Sequence, residues 1–157
     1  MKKIAIALLI AVGAAFSAFA ADPAPDFQDF ARKQGAVYSY ISPEMFSSMP
    51  ALDSPVSDYG WFGPAMMSVE SVMVAADSDL SASLLKAADK VIKRDGLVMM
   101  ATKSNGSGSS YTIYGKKIGD TKDMSDLLFI ETISSSGQSY VKIVSLKGEI
   151  NLRSLSM

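Results

Sequence analysis

Cysteine and histidine are both missing from this 157-residue chain. Their absence excludes Ser-His-Asp and Cys-His nucleophilic catalysis and the usual zinc ligand sets. It also removes the one side chain that ordinarily titrates near neutral pH. No disulfide can staple the fold, so a hydrophobic core must hold it. An excess of basic charge is lacking too: 15 Lys and Arg face 16 Asp and Glu, for a net charge of −1. Nucleic-acid binding normally needs a concentrated basic footprint, and none is visible. Beyond residue 20 no stretch approaches the roughly 20 uncharged apolar residues of a spanning helix.

The one long apolar run lies at the start. Lys2 and Lys3 precede Ile4 to Phe16, and Ala18-Phe19-Ala20 is a small-x-small site before Ala21. Residues 1–20 are expected to be a signal peptide cleaved near Ala20-Ala21, which directs the protein to the periplasm or out of the cell. No cysteine follows the site, so a lipoprotein anchor is not expected. Residues 21–26 read as a flexible lead-in. Residues 27–157, with an apolar content too high for disorder, read as a single domain.

Within that domain the hydrophobic period changes repeatedly. Phe27, Phe30 and Ala31 suggest a short helix closed by Gly35. Val37 to Ile41 alternates as a strand. Ser42-Pro43-Glu44 then supplies a helix cap, a first-turn proline and a first-turn acid ahead of Met45, Phe46 and Met49. Ser68 to Ala75 alternates again. Leu80, Leu84, Leu85, Ala88, Val91 and Ile92 mark the buried stripe of a helix over 79–95, capped by Ser78 or Asp79 and ended by Gly96. Leu97 to Thr102 and Tyr111 to Lys117 form one hairpin. Leu127 to Ile133 and Tyr140 to Leu146 form another, closed by Gly148. A short helix over Asn151 to Leu155 follows. Strands joined by short loops are most simply antiparallel. The expected fold is α+β: one mainly antiparallel sheet of about six strands, with a long amphipathic helix and short helices packed on one face.

Phe27 and Phe30 form an F-x-x-F pair, and Val37, Tyr38, Ile41, Ser42, Met45 and Phe46 a V-Y-x-x-I-S-x-x-M-F segment. Ala76-Asp77, Met99-Met100 and the V-S-L-K-G-E-I run of the closing hairpin follow. In these features the sequence resembles the DUF4252 family of exported Bacteroidetes proteins. It implies an envelope location and a small α+β domain of unknown function, with no catalytic residue to carry over. Many family members look like lipoproteins, and this chain departs in lacking the anchoring cysteine.

Several chemistries remain open in composition. A Ser-Lys dyad has no motif to fix its lysine. Asp77 with Asp79, and Asp120 with Asp123, are the nearest carboxylate pairs for a hydrolase. Asp120, Asp123 and Asp126 are candidates for a weak calcium site. Met45/Met49, Met66/Met67 and Met99/Met100 raise copper(I), although methionine more often fills irregular cores. Lys86, Lys90, Lys93 and Arg94 line the polar side of the long helix, a row that could touch anionic lipid.

The leading candidates are Tyr59, Trp61 and Phe62, aromatic anchors on the Pro/Gly-rich 50–64 loop. The expectation is a non-enzymatic periplasmic accessory or binding domain without a cofactor. It would recognise an envelope protein or glycan through that loop, helped by an exposed strand edge, with at most peripheral membrane contact. The alternatives are a carboxylate or Ser-Lys hydrolase acting on an envelope polymer, and an envelope-surface module binding anionic lipid.

Overall fold

The computed structural model describes residues 24–48, 68–120 and 123–151. After a 3-10 turn at Gln28–Arg32 come β1 (Ala36–Ile41), helix α1 (Pro43–Ser48), β2 (Ser68–Ala75) and helix α2 (Asp79–Asp95). Strands β3 (Val98–Ser104), β4 (Ser110–Lys117), β5 (Asp123–Ser135) and β6 (Gln138–Asn151) follow. They form one six-stranded sheet in the order β1-β2-β6-β5-β4-β3, antiparallel at every pairing.

Because side chains alternate along a strand, the register assigns each residue to a face. One face carries the lateral rows Tyr38–Val72–Ile143–Ile130–Thr112–Thr102 and Tyr40–Glu70–Ser145–Leu128–Tyr114–Met99. Val72, Ile143 and Leu128 from these rows join Phe27, Phe30, Leu84, Ala88, Val91 and Leu97 in one buried cluster, with Tyr38, Ile130, Tyr114, Leu80 and Ile92 at its margin. Here the 3.6-residue stripe of α2 meets the two-residue period of the strands. Leu85 departs from the expected stripe, standing 41% exposed, and Ser81 is buried in its place. Residue 85 lies on the outer flank of the arc that the contact covers.

The opposite face carries a row crossing all six strands: Ile41–Val69–Leu146–Leu127–Gly115–Val98. The next row is Ser39–Ser71–Val144–Phe129–Ile113–Ala101, and the third is Val37–Met73–Lys142–Glu131–Tyr111–Lys103. Polarity rises from the first row to the third. Gly115 has a steric reason: a Cβ there would stand 2.7 Å from both Leu127 Cδ2 and Met124 Cε.

Local details refine the reading of the element ends. Ser42 Oγ accepts the backbone N–H of Met45 at 3.3 Å, so Ser42 caps α1. Ser78 occupies the cap position of α2 but makes no side-chain cap bond. Its hydroxyl donates to Ala75 O at 2.6 Å instead, tying the turn back to β2. Gly96 ends α2 in the left-handed conformation (φ 65°). Gly148 does not close the final hairpin: β6 runs through it to Asn151. Asn151 is therefore strand, and the rest of the expected Asn151–Leu155 helix lies outside the described residues.

Candidate functional site

Two features stand out, one buried and one bare. The buried one surrounds Glu70, an acid within the apolar strand β2 and only 3% exposed. Its Oε1 accepts the backbone N–H of Phe27 (2.8 Å) and the Tyr38 hydroxyl (3.0 Å), and its Oε2 accepts the N–H of Asp26 (2.8 Å). Burial pushes the Glu70 carboxyl above its ordinary value, and the three donors oppose that rise. Burial, followed by the adjacent Glu70 charge, pushes the Tyr38 hydroxyl well up.

Next to it lies a charge cluster. The Asp26 side chain, 3% exposed, has Arg94 Nη2 at 2.7 Å and Lys147 Nζ at 2.6 Å. Lys147 Nζ sits against Asp26 Oδ2 and Arg94 Nη2 against Oδ1. Arg94 also grips Asp95 with two bonds of 2.6 Å. That hydrogen bonding lowers the Asp95 pKa. Asp126 faces the same group from a bulge in β5, at a φ of 53° that Asp tolerates. Burial raises its pKa against the pull of Lys147 and Lys116.

Chemically this arrangement is a clasp. Glu70 spends its carboxylate on two backbone N–H groups and one phenol, and Asp26 is neutralised from two sides. Together they tie the backbone of Asp26 and Phe27 to β2. Asp26, assigned by the sequence to a flexible lead-in, is thus part of the fold.

The bare feature is β3, an edge strand. Val98, Met99 and Met100 stand 53, 62 and 39% exposed. Met100 is the extra residue of a bulge between Met99 and Ala101. The bulge re-aims it to the second face, near Gly115, while Met99 stays on the helix side. Bulges usually blunt an edge, but this one displays apolar side chains. The expectation that these methionines fill the core is corrected: both are exposed, because among the described residues the strand that bears them has a neighbour on one side only. Exposed Lys103 flanks one end of the strand, and exposed Lys116 and Lys117 on β4 flank the other.

Other candidates fall elsewhere. Tyr59, Trp61 and Phe62 lie outside the described residues, as do Met49, Met66, Met67 and residues 1–20. The basic row on α2 is broken by pairing: Lys93 bonds Asp89 at 2.6 Å, and Arg94 turns to Asp26 and Asp95. Among the described residues no three His, Cys, Asp or Glu side chains group as a metal site. No described helix is long and apolar enough to cross a membrane. Sequence reasoning missed the Glu70 clasp. Its signal was an acid on the same strand face as Val72 and Val74.

No protein-family model, no curated protein and no solved structure matches this chain.

Proposed function

We propose that this chain is an exported, non-enzymatic accessory or binding domain that recognises an extended partner segment along the β3 edge. The observation that carries the reading is the run of exposed Val98, Met99 and Met100 on a strand that, among the described residues, has one open side. An added strand would take its affinity from main-chain hydrogen bonds and its selectivity from alternate side chains. The cations at both ends of β3 favour a segment that is apolar in the middle and acidic at its ends. The edge strand is held by its ladder with β4, while α2 and the 3-10 turn back the sheet over β2, β6 and β5. Export rests on the leader-like residues 1–20, and the DUF4252 resemblance accords with an envelope location.

The test is titration of the mature domain with a synthetic valine-rich hexapeptide bearing glutamate at both ends, followed by amide hydrogen exchange. Protection should rise along 98–104, and Met99→Lys should weaken binding at least tenfold. Protection confined to other strands would refute the edge as the site.

A hydrolase reading has one observation in its favour: Asp126, partly exposed and raised in pKa, beside Lys116 and Lys147. It requires that Asp126→Asn abolish turnover of an envelope polymer while leaving thermal stability intact.

A further inference from the structure

The tip of the β3–β4 hairpin carries the chain's one Asn-Gly pair, Asn105-Gly106, and both residues are exposed. Two donors converge on the Asn105 side chain. The Ser109 backbone N–H reaches Oδ1 at 3.0 Å, and the Ser107 hydroxyl reaches it at 2.8 Å. A backbone N–H can only donate, so the atom it meets is the carbonyl oxygen and not the amide nitrogen. Such bonds draw charge onto the oxygen and leave Cγ more open to attack. The adjacent nucleophile is the Gly106 nitrogen, whose N–H donates to no backbone carbonyl among the described residues.

Two glycines of this loop differ in what the fold asks of them. Gly108 has a φ of 84°, where a side chain is strained, and a Cβ there would meet Ser134 Oγ at 3.3 Å. Gly106 has no left-handed φ, and a Cβ built on it would meet nothing within 4 Å. Neither backbone nor packing requires glycine at 106. A side chain there would, however, hinder the approach of its nitrogen to Cγ of residue 105.

We propose that Asn105 is a self-modifying site, which converts to aspartyl and isoaspartyl residues through a cyclic imide in a loop that promotes the reaction. The Gly106 nitrogen loses its proton to water, and its electron pair forms a bond to Asn105 Cγ. The Ser107 and Ser109 donors hold the oxyanion that results. Collapse breaks the Cγ–Nδ2 bond, and the nitrogen leaves as ammonia with a proton from water. Water then opens the imide. Addition at Cγ gives aspartate; addition at the backbone carbonyl carbon gives isoaspartate, whose main chain runs through Cβ and Cγ. In sum one water is consumed, one ammonia is released, and an uncharged amide becomes a carboxyl group that ionises at neutral pH.

The loop is tied to the next hairpin. Ser109 Oγ accepts the Ser134 N–H at 3.1 Å, and Ser134 Oγ donates to Gly108 O at 3.3 Å. Isoaspartate adds a methylene to the main chain and moves the oxygen that holds Ser109, so the two tips loosen. A negative charge also appears two residues from Lys103. The change accumulates with the protein's age, which makes the hairpin tip a record of residence time. It does not depend on the β3 proposal, since either can fail alone.

The test is incubation of the folded, purified protein in mildly alkaline buffer, with isoaspartate mapped over time by peptide fragmentation and by isoaspartyl methyltransferase labelling. Isoaspartate should appear at 105 and not at 151, where leucine follows asparagine. Gly106→Ala should lose most of the conversion and keep the parent melting temperature. Ser107→Ala should slow conversion in the folded protein and leave the rate in urea unchanged, a split that the dipeptide alone would not give. Amide exchange at Ser109 and Ser134 should quicken in the converted protein. An Asn105 that stays intact, or a Gly106→Ala variant that converts as fast as the parent, would overturn the site. Equal folded-state rates for the parent and Ser107→Ala would overturn the loop's part in the reaction.

Discussion

The two edges of the sheet are treated in opposite ways. At β1 the 3-10 turn folds back against the strand, and Tyr38 reaches across to the Glu70 carboxylate that also holds the backbone of Asp26 and Phe27. At β3 no comparable contact is formed among the described residues, and three consecutive apolar side chains stand in the open. At the first edge Glu70 takes two backbone N–H groups and the Tyr38 hydroxyl on the helix-side face, while Val37 on the other face stands 62% exposed. The second is left with apolar groups and a basic rim outside it. Stability should therefore be sensitive at one edge and binding at the other.

The largest effect is expected at the closed edge. Glu70→Ala leaves two backbone N–H groups and one phenol without an acceptor in a buried place, a loss of about 3 kcal/mol or more. Urea unfolding should show a lower midpoint, and an unchanged midpoint would mean that water replaces the carboxylate without cost. Gly115→Ala, one strand in from the open edge, forces Leu127 and Met124 to move and should cost about 1–2 kcal/mol; thermal melts would register it. Arg94→Ala removes one of two cations from buried Asp26. Because Arg94 is itself 55% exposed, solvent screening holds that loss to about 1 kcal/mol. Met99→Lys should fall within about 0.5 kcal/mol of the parent while it weakens the peptide. A variant that destabilises as much as Glu70→Ala would show that β3 is not open at all.

A pH series sharpens the closed edge further. The folded-state pKa of Glu70 is raised, mainly by burial. Its linkage term is therefore fully present below the unfolded carboxylate value and is lost as pH rises through the folded value. Asp95 is lowered by Arg94, so its term is present above the unfolded value and is lost as pH falls through the folded one. Glu70→Gln should remove the first trend and leave the second. Parent and variant melting temperatures should then converge toward acid pH and separate toward neutral. Parallel curves would remove Glu70 from the account.

Much of the fold was legible because it rests on local periodicity. The span 68–75 and the helix 79–95 follow from spacings of two and of three to four residues within short windows. Strand ends were less legible. β5 and β6 extend beyond the expected Leu127 and Leu146 because each continues pairing past the bulge at Asp126, which local pattern does not encode. The clasp was not legible, because Glu70 finds its donors 43 and 44 residues upstream and Tyr38 32 residues upstream. Such distances are set by topology. The exposure of Met99 and Met100 was hidden for the same reason: strand order makes β3 an edge, and its own residues read as core.

The strand order has a consequence for when the molecule can become itself. The last of the described strands, β6, lies in the middle, between the β1–β2 ribbon and the β3–β4–β5 meander. Until it arrives, those halves share no ladder, and Lys147 cannot meet Asp26 near the opposite terminus. A chain delivered N-terminus first therefore holds its two halves without a shared ladder until residues 138–151 emerge. A chain that stopped before residue 138 would leave the β1–β2 ribbon and the β3–β4–β5 meander without the strand that joins them.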